Sequence, residues 1–151
     1  MVFPKLKFLS NNVMVAFGNG KAVIFEGDQK PQVKKEIAVE QEIRSIFYNE
    51  AYIGLVFENQ NKKARYKMQV FDLNGNEALS KDFNIEYREI EFLENDEICV
   101  RGDKECILYT LHGVEKFHGN FEKNIWKVLS SGRIRDYIFL VEGETQRIRL
   151  K

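Results

Sequence analysis

Short apolar runs alternate with polar turns along the whole chain. The runs are rich in Val, Ile, Phe and Tyr, recur roughly every eight to twelve residues and are separated by Asn, Gly, Asp and Glu. Several alternate apolar with polar residues, as in Lys67-Met68-Gln69-Val70, which is the period of a half-buried β-strand. No stretch combines a helical period with capping residues. The pattern predicts an all-β chain, and its clearest strands are Val13–Phe17, Ala22–Phe25, Ile43–Tyr48, Tyr52–Phe57, Tyr66–Phe71, Tyr87–Leu93, Ile98–Val100, Ile107–Leu111, Ile125–Leu129, Tyr137–Val141 and Arg147–Leu150.

Two of the polar segments between predicted strands contain residues typical of β-hairpin turns. Asn19-Gly20 and Asn74-Gly75 each separate two predicted strands. These dipeptides suit type I′ turns, in which both central residues need positive φ. We therefore predict a tight hairpin at each position.

An internal repeat organises the strands. Residues 70–77 and 108–115 read VFDLNGNE and LYTLHGVE at an offset of 38. Comparable offsets relate four strands, centred on Phe8, Ile46, Ile90 and Val128, which we call the marker strands. One spacing is longer, at 44 residues, and the polar stretch 59–65 accommodates the extra residues as a lengthened hairpin loop.

Each repeat is predicted to hold four strands, with the marker strand last. The repeats are approximately 13–48, 52–93, 97–129 and a partial 136–151, and a leading strand covers 5–10. Four antiparallel strands in a period near 40 residues are typical of propeller blades. We predict a single domain over 1–151, a partial β-propeller of about 3.5 blades. The alternative is a β-sandwich whose hairpins resemble one another by chance.

Composition narrows the classes of partner. The 151 residues include 23 basic and 23 acidic side chains, so the chain lacks the broad positive field of non-specific nucleic-acid binders. The longest uninterrupted apolar runs, of which Tyr137–Val141 is one, are too short to span a membrane, and no signal peptide is expected. We expect no nucleic-acid partner and no membrane insertion by this segment.

Three short segments of the chain are similar to those of a known family: the turns Leu73-Asn74-Gly75 and Leu111-His112-Gly113, and the ending 147–151. Together with the blade pattern they resemble the C-terminal half of an uncharacterised propeller-like family of clostridial-type bacteria. The resemblance implies a parent protein with an N-terminal membrane anchor and a repeat domain outside the cytoplasm. No catalytic residues are assigned in that family, and the chain departs from it by lacking the anchor and the earlier repeats.

Two places are candidate binding sites. Arg101-Gly102-Asp103 falls at a predicted hairpin tip, where an adhesion receptor could bind Arg101 and Asp103, although Gly and Asp also suit a tight turn. Trp126, the single tryptophan, is either an exposed binding anchor or packs against the next blade.

Cys99 and Cys106 flank the same predicted turn. If Gly102-Asp103 is the turn, the two cysteines face each other directly across the hairpin, which is compatible with a disulfide. The alternative is two buried free thiols, since cysteine packs well as a small hydrophobic residue.

Other polar groups give no catalytic or metal site. Asp72, Asn74 and Glu77 surround Gly75 faintly like a calcium loop, but three oxygen donors are too few. His112 and His118 have no nucleophile or carboxylate at a defensible triad spacing. We assign no catalytic, metal or cofactor-binding residue and expect no cofactor.

These patterns favour a non-catalytic recognition or scaffold module for a protein or glycan ligand. One alternative is a fragment of a propeller enzyme whose active-site residues lie partly in other blades, and another is a surface adhesin that binds through Arg101. Incomplete end blades would expose apolar faces and strand edges. The incomplete ends could meet within one chain, as a cramped four-bladed ring, or between two chains. We expect the second arrangement, a homo-oligomer in which the Phe8 strand of one chain lies beside the C-terminal strands of another.

Overall fold

The computed structural model describes residues 5–10, 12–27, 29–59, 63–133 and 135–150, and these are almost entirely β-structure. Apart from one 3₁₀ turn at Glu94–Asp96, the regular elements are strands. They are β1 (Lys5–Ser10), β2 (Val13–Glu26), β3 (Gln32–Glu42), β4 (Ser45–Tyr48), β5 (Tyr52–Glu58), β6 (Tyr66–Asp72), β7 (Glu77–Phe83), β8 (Glu89–Phe92), β9 (Ile98–Arg101), β10 (Glu105–Tyr109), β11 (Glu115–Asn120), β12 (Ile125–Ser130), β13 (Asp136–Val141) and β14 (Glu144–Arg149). Within the described residues, no helix has the length and apolar character needed to cross a membrane.

The strands form four antiparallel sheets, each a simple meander of consecutive strands. Their orders are β1-β2-β3, β4-β5-β6-β7, β11-β10-β9-β8 and β12-β13-β14. Hairpin connections between neighbouring strands give this arrangement without crossovers. The prediction of an all-β chain of antiparallel sheets is confirmed. The second and third sheets along the chain have the predicted four strands, and the first and last have three strands each.

The first sheet corrects the predicted hairpin at Asn19-Gly20. Val13–Phe17 and Ala22–Phe25 belong to one continuous strand, β2. Gly20 does have a positive φ of 90°, but at this point the pairing with β3 is irregular, with Asn19 opposite Glu42 and Lys21 opposite Ala38. The glycine therefore serves a bulge within the strand instead of a chain reversal.

The sheets also correct the predicted phase of the repeat. The marker strands are β1, β4, β8 and β12, and each is the first strand of its sheet, not the last. In the second sheet the reason is the tight turn after β4. There the Asn49 side chain accepts the backbone N–H groups of Ala51 and Tyr52, which folds β5 back against β4. The sheets thus cover 5–42, 45–83, 89–120 and 125–149, whereas the predicted repeats 13–48, 52–93, 97–129 and 136–151 divide each sheet after its first strand.

The chain divides into two compact units, residues 1–84 and 85–151. In the first unit, the sheet β1–β3 packs on the sheet β4–β7. Alternate residues of β2, including Val15 and Phe17, face alternate residues of β5, including Ile53 and Leu55. The strand period of two places these apolar side chains on one face of each sheet. The buried members of this first core are Val15, Phe17, Ala22, Ile24, Ile37, Ile43, Ile53, Leu55, Phe57 and Phe71.

The second unit has an equivalent core between the sheet β8–β11 and the sheet β12–β14. Cys99, Cys106 and Leu108 supply one side of it, and β12 and β13 supply the other. The Phe139 ring packs between Phe117 and Phe121, with centroid distances of 5.5 and 5.0 Å. The buried members of this second core are Cys99, Cys106, Leu108, Ile125, Val128, Tyr137, Phe139 and Val141.

The lengthened loop predicted at 59–65 lies between β5 and β6. Residues 60–62 lie outside the described part of the chain. At the base of the loop, the Asn59 N–H donates to the Arg65 carbonyl at 2.8 Å. The hairpin β5–β6 therefore closes directly below the inserted residues.

Candidate functional site

The side chain of Arg101 does not project from the β9–β10 hairpin. Arg101 is the last residue of β9, and its side chain is 13% exposed. Its Nη2 donates to Glu89 at 2.7 Å, and its Nη1 donates to the Ile125 carbonyl at 2.8 Å. The guanidinium thus ties β9 to β8 and β12 within the second unit.

Asp103 is held at the same hairpin by Arg88. The guanidinium of Arg88 donates to both carboxylate oxygens of Asp103, at 2.8 and 3.0 Å. These bonds lower the pKa of Asp103 and raise that of Arg88. The turn itself is closed by the Gly102 N–H donating to the Glu105 carbonyl at 2.8 Å. The adhesin hypothesis requires a projecting Arg101, whereas the observed Arg101 side chain is held by Glu89 on β8 and by the Ile125 carbonyl on β12.

The two cysteines lie close together but not directly opposite each other. Cys99 pairs with Leu108, and Cys106 pairs with Arg101, so the cysteines are diagonal neighbours on one face. The predicted direct pairing is wrong because the chain reverses around Asp103-Lys104, one residue later than expected. Diagonal partners are separated by about 7–8 Å between Cα atoms, more than a disulfide normally spans.

Both cysteines are free thiols inside the second core. Their Sγ atoms are 3.6 Å apart, and both side chains are fully buried. The hydrogen bond with Cys106, together with burial, raises the pKa of the Cys99 thiol well above its ordinary value. A high thiol pKa and burial suppress thiolate chemistry, so the pair acts here as packing.

Trp126 is 60% exposed, which removes the alternative that it packs against a following sheet among the described residues. Ile125 pairs with Val141 and Lys127 with Leu140, so Trp126 is the extra residue of a β-bulge. Bulges commonly redirect a side chain away from the face that the strand pattern would assign to it. Trp126 remains a binding candidate on the edge strand β12.

The groups considered as a calcium-like loop and a histidine site serve as local hydrogen-bond partners. The Asp72 carboxylate accepts the backbone N–H groups of Asn74 and Asn76, each at 2.9 Å, and these bonds lower its pKa. Imidazole nitrogens of His118 lie 2.6 Å from Glu105 and 3.2 Å from Glu115. Among the described residues, no group of three or more His, Cys, Asp or Glu side chains is arranged to hold a metal ion.

A cleft in the second unit was not anticipated from the sequence. It has a volume of about 500 Å³ and lies where three connections converge: the 3₁₀ turn after β8, the β10–β11 turn and the β12–β13 loop. We call it the loop cleft. Its lining residues are Asn95, Asp96, Glu97, Thr110, Leu111, His112, Lys116, Arg133 and Arg135.

A buried network fixes one wall of the loop cleft. The Tyr137 hydroxyl donates to Glu97 at 2.6 Å, and Lys116 donates to Tyr137 at 3.0 Å and also to Glu97. Burial and the hydrogen bond to Glu97 raise the pKa of Tyr137. Burial by itself would lower the pKa of Lys116, but its bonds to Glu97 and Tyr137 raise it. The positive charge of Lys116 therefore balances the negative charge of Glu97.

The backbone around the loop cleft is unusual. Asn95, Asp96 and Arg135 have φ values of 64°, 59° and 63°. In the part of the chain that the structure describes, these are the non-glycine residues with positive φ, and all three line this cleft. Asn and Asp tolerate this region well, but an arginine there costs about 1–2 kcal/mol. Such strain clusters at functional sites.

The sequence did contain a signal for the loop cleft, in the repeat itself. Thr110 and His112 occupy the positions that Asp72 and Asn74 hold one repeat earlier. The hairpin pattern is conserved in form, but a carboxylate is replaced by a hydroxyl and an amide by an imidazole. The spatial convergence of three separate loops could not be inferred from spacing alone.

Comparison with known proteins places the chain in a family. A family model matches residues 1–150, which is nearly the whole chain. The chain belongs to DUF5711. The description of DUF5711 is a family of unknown function, so membership assigns no activity. No curated protein matches the DUF5711 chain.

Solved structures share the fold of the DUF5711 chain. One is the crystal structure of BBS1N in complex with ARL6DN, soaked with mercury, at TM-score 0.62 and 12% identity, and the match covers 98% of this chain and 51% of that one. A second, soaked with lead, matches at TM-score 0.61 and 12% identity over 97% of this chain and 51% of that one. The DUF5711 chain therefore spans about half the length of these structures. The neighbour is a β-propeller, and identity this low shows the fold alone.

Proposed function

We propose that the protein is a non-catalytic recognition or scaffold module of propeller type, completed by a second copy of the chain. The observation that carries the proposal is the exposure of Phe8 on β1. Its side chain is 72% exposed, whereas the equivalent Val128 is fully buried in the second core and Ile46 packs against the first. Ile90, the marker residue of β8, is also buried at 8% exposure, so Phe8 is the exposed one of the four marker residues.

The uncovered surface on β1–β3 is an apolar face, which we call the leading face. Leu6 pairs with Ala16 and Phe8 with Met14, on the side opposite the first core. Leu6 and Val33 are 56% and 60% exposed. Large apolar side chains exposed on one face of a sheet are typical of interaction sites.

A second uncovered surface lies on the sheet β12–β14, which we call the trailing face. Leu129 pairs with Ile138 on the side opposite the second core, and Leu129 is 40% exposed. Both faces therefore expose large apolar side chains in the described part of the chain. Two chains together would have about the length of the matched structures. We therefore assign a second copy as the partner.

The non-catalytic role is supported by how the polar groups are used. Carboxylates that resembled site residues in the sequence instead hold turns and ion pairs, as Asp72 and Asp103 do. The BBS1N structures contain a bound protein, ARL6DN, which illustrates recognition on a related fold. We propose a protein or glycan ligand for the completed ring.

Following the family resemblance, we further propose a bacterial parent that is membrane-anchored and displays this domain outside the cytoplasm. The support is the resemblance itself, carried by the turns and strand pattern. Protease accessibility of the full-length product on intact cells would test it, and complete protection would contradict it.

The assembly is tested by sedimentation of the full chain and two matched variants. Phe8→Asp places a charge in the leading face, and Val114→Asp places one at an apolar residue that is 59% exposed in the β10–β11 turn, on neither face. We expect dimers at micromolar concentration for the wild type and Val114→Asp, and monomers for Phe8→Asp. A monomeric wild type, or a Phe8→Asp variant that still dimerises, would overturn the proposal.

A further inference from the structure

We propose that the loop cleft binds a small sugar acid, with its carboxylate on Arg133 and Arg135. This inference deepens the recognition role proposed above and rests on it. It concerns only residues of the second unit and requires no contact from a second chain.

Charge in the loop cleft favours an anion. Lys116 is already paired with Glu97, so these two charges cancel. Among the described residues, no hydrogen bond or ion pair is formed by the guanidinium of Arg133 or of Arg135, and both side chains are exposed. Besides Glu97, the lining of the loop cleft contains one carboxylate, that of Asp96. A guanidinium presents a planar fork of donors that matches a carboxylate.

The equivalent turns of the two units have the same hydrogen-bond pattern but differ in charge at one position. In the first unit, Asp72 caps its turn by accepting the N–H groups of Asn74 and Asn76. In the second unit, the Thr110 Oγ1 accepts the N–H groups of His112 and Val114 at 3.2 and 3.1 Å. The same geometry is therefore achieved with a neutral hydroxyl beside the arginines, where an aspartate would repel an anion.

Size and lining distinguish a sugar acid from an inorganic ion. The volume of about 500 Å³ lies within the range of small-molecule sites and far exceeds what a phosphate needs. Asn95, His112 and the Thr110 hydroxyl supply polar side chains suited to several ligand hydroxyls. Leu111 supplies an apolar surface for the edge of a pyranose ring.

The walls of the cleft are also built to keep their shape. Glu97, Lys116 and Tyr137 are bonded to one another beneath it, and Glu97 is only 8% exposed. The positive φ of Arg135 is retained despite its cost, and it orients this part of the β12–β13 loop. A preorganised site of this kind loses less conformational entropy on binding.

The probe for this proposal is glucuronate, titrated into the full chain and followed by calorimetry and by amide chemical shifts. Glucose is the neutral counterpart, and inorganic phosphate tests charge alone. We expect glucuronate to bind with a dissociation constant of about 1 mM and to shift the amides of 95–97, 110–116, 133, 135 and 136. Glucose and phosphate should bind at least about tenfold more weakly.

Thr110→Asp is the decisive variant, because Asp72 shows that aspartate can cap this turn. It should weaken glucuronate binding at least about tenfold and leave the melting temperature within a few degrees of the wild type. Arg135→Asn removes a guanidinium with a residue that tolerates positive φ, and it should weaken binding similarly. Asp72→Thr, the reciprocal change in the first unit, is the matched control and should leave binding unchanged.

Three results would overturn the proposal: no binding of glucuronate at about 20 mM, equal binding of glucose or phosphate, or an equal loss of binding in Asp72→Thr. Failure here is distinguishable from failure of the proposed assembly. Loss of glucuronate binding with intact dimers would refute the cleft alone, and binding by a monomeric chain would refute the assembly alone.

Discussion

At the scale of single residues, Asp136 at the start of β13 is a marked electrostatic feature. Its side chain is 1% exposed and accepts hydrogen bonds from Arg147 and from the Ser131 hydroxyl. The bond to Arg147 lowers the pKa of Asp136 to about 2. A buried carboxylate held as an anion links folding to protonation.

Asp136 therefore predicts a specific loss of stability in acid. The folded pKa of about 2 lies below an unfolded value of about 3.9, so the stabilisation is complete above about pH 4 and is lost as the pH falls toward 2. Asp136→Asn cannot respond to pH in this way, so it should unfold more easily than the wild type near pH 6, with the gap narrowing below pH 4. Urea unfolding at several pH values measures this gap.

The matched control is Asp82→Asn, at an exposed aspartate on β7. Its urea midpoint should follow that of the wild type across the same pH series. A gap between Asp136→Asn and the wild type that stays constant from pH 6 to 2 would refute the linkage.

At the scale of elements, the two related hairpin turns match each other but not the predicted turn type. The Gly75 N–H donates to the Asp72 carbonyl at 3.0 Å, and the Gly113 N–H donates to the Thr110 carbonyl at the same distance. Gly75 and Gly113 have φ of 86° and 83°, whereas Asn74 is not among the residues with positive φ. These are three-residue loops, each a type I turn followed by a glycine bulge.

Gly75→Val should therefore destabilise the fold although the turn is not type I′. A β-branched residue at φ of 86° is strained, and a Cβ at this position would lie 2.5 Å from the Lys35 side chain. We expect a loss of about 1–2 kcal/mol, measured by urea unfolding. Leu73→Val, in the same turn but without positive φ, is the control, and an equal loss in both variants would assign the effect to side-chain packing instead.

The same elements show how far sequence reasoning could go. The alternation of apolar residues and the offset of 38 identified the strands and the equivalence of the marker strands, because both depend on local period. The Cys99–Cys106 register was wrong because a shift of the reversal by one residue changes every partner across the hairpin. The predicted boundaries of the sheets were wrong because the repeat length does not show which connections join strands of one sheet and which lead from one sheet to the next.

At the scale of the whole molecule, the sequence could not predict that three separate loops of the second unit meet at one cleft. The loop cleft draws on residues separated by up to forty positions, from Asn95 to Arg135, and no spacing motif links them. The sequence predicts that the Phe8 strand belongs to a preceding blade, whereas β1 pairs with β2 inside the first sheet. Phe8 and Leu129 are both exposed on the leading and trailing faces. Variants of these two faces can therefore test which face of one copy contacts which face of the other.

A two-copy ring predicts head-to-tail pairing, in which the leading face of each chain contacts the trailing face of the other. Each of the two contacts in such a ring joins two different surfaces, and the two-fold axis of the dimer relates one contact to the other. Leu129→Asp should then abolish the dimer as Phe8→Asp does, because each variant spoils both contacts of a homodimer. Mixing the two variants, however, restores one intact contact, between the trailing face of the Phe8→Asp chain and the leading face of the Leu129→Asp chain. We expect sedimentation to show monomers for each variant alone and a heterodimer in the mixture, weaker than the wild-type dimer. If leading faces paired with each other, Leu129→Asp alone would dimerise normally and the mixture would contain no heterodimer, which would refute the head-to-tail arrangement.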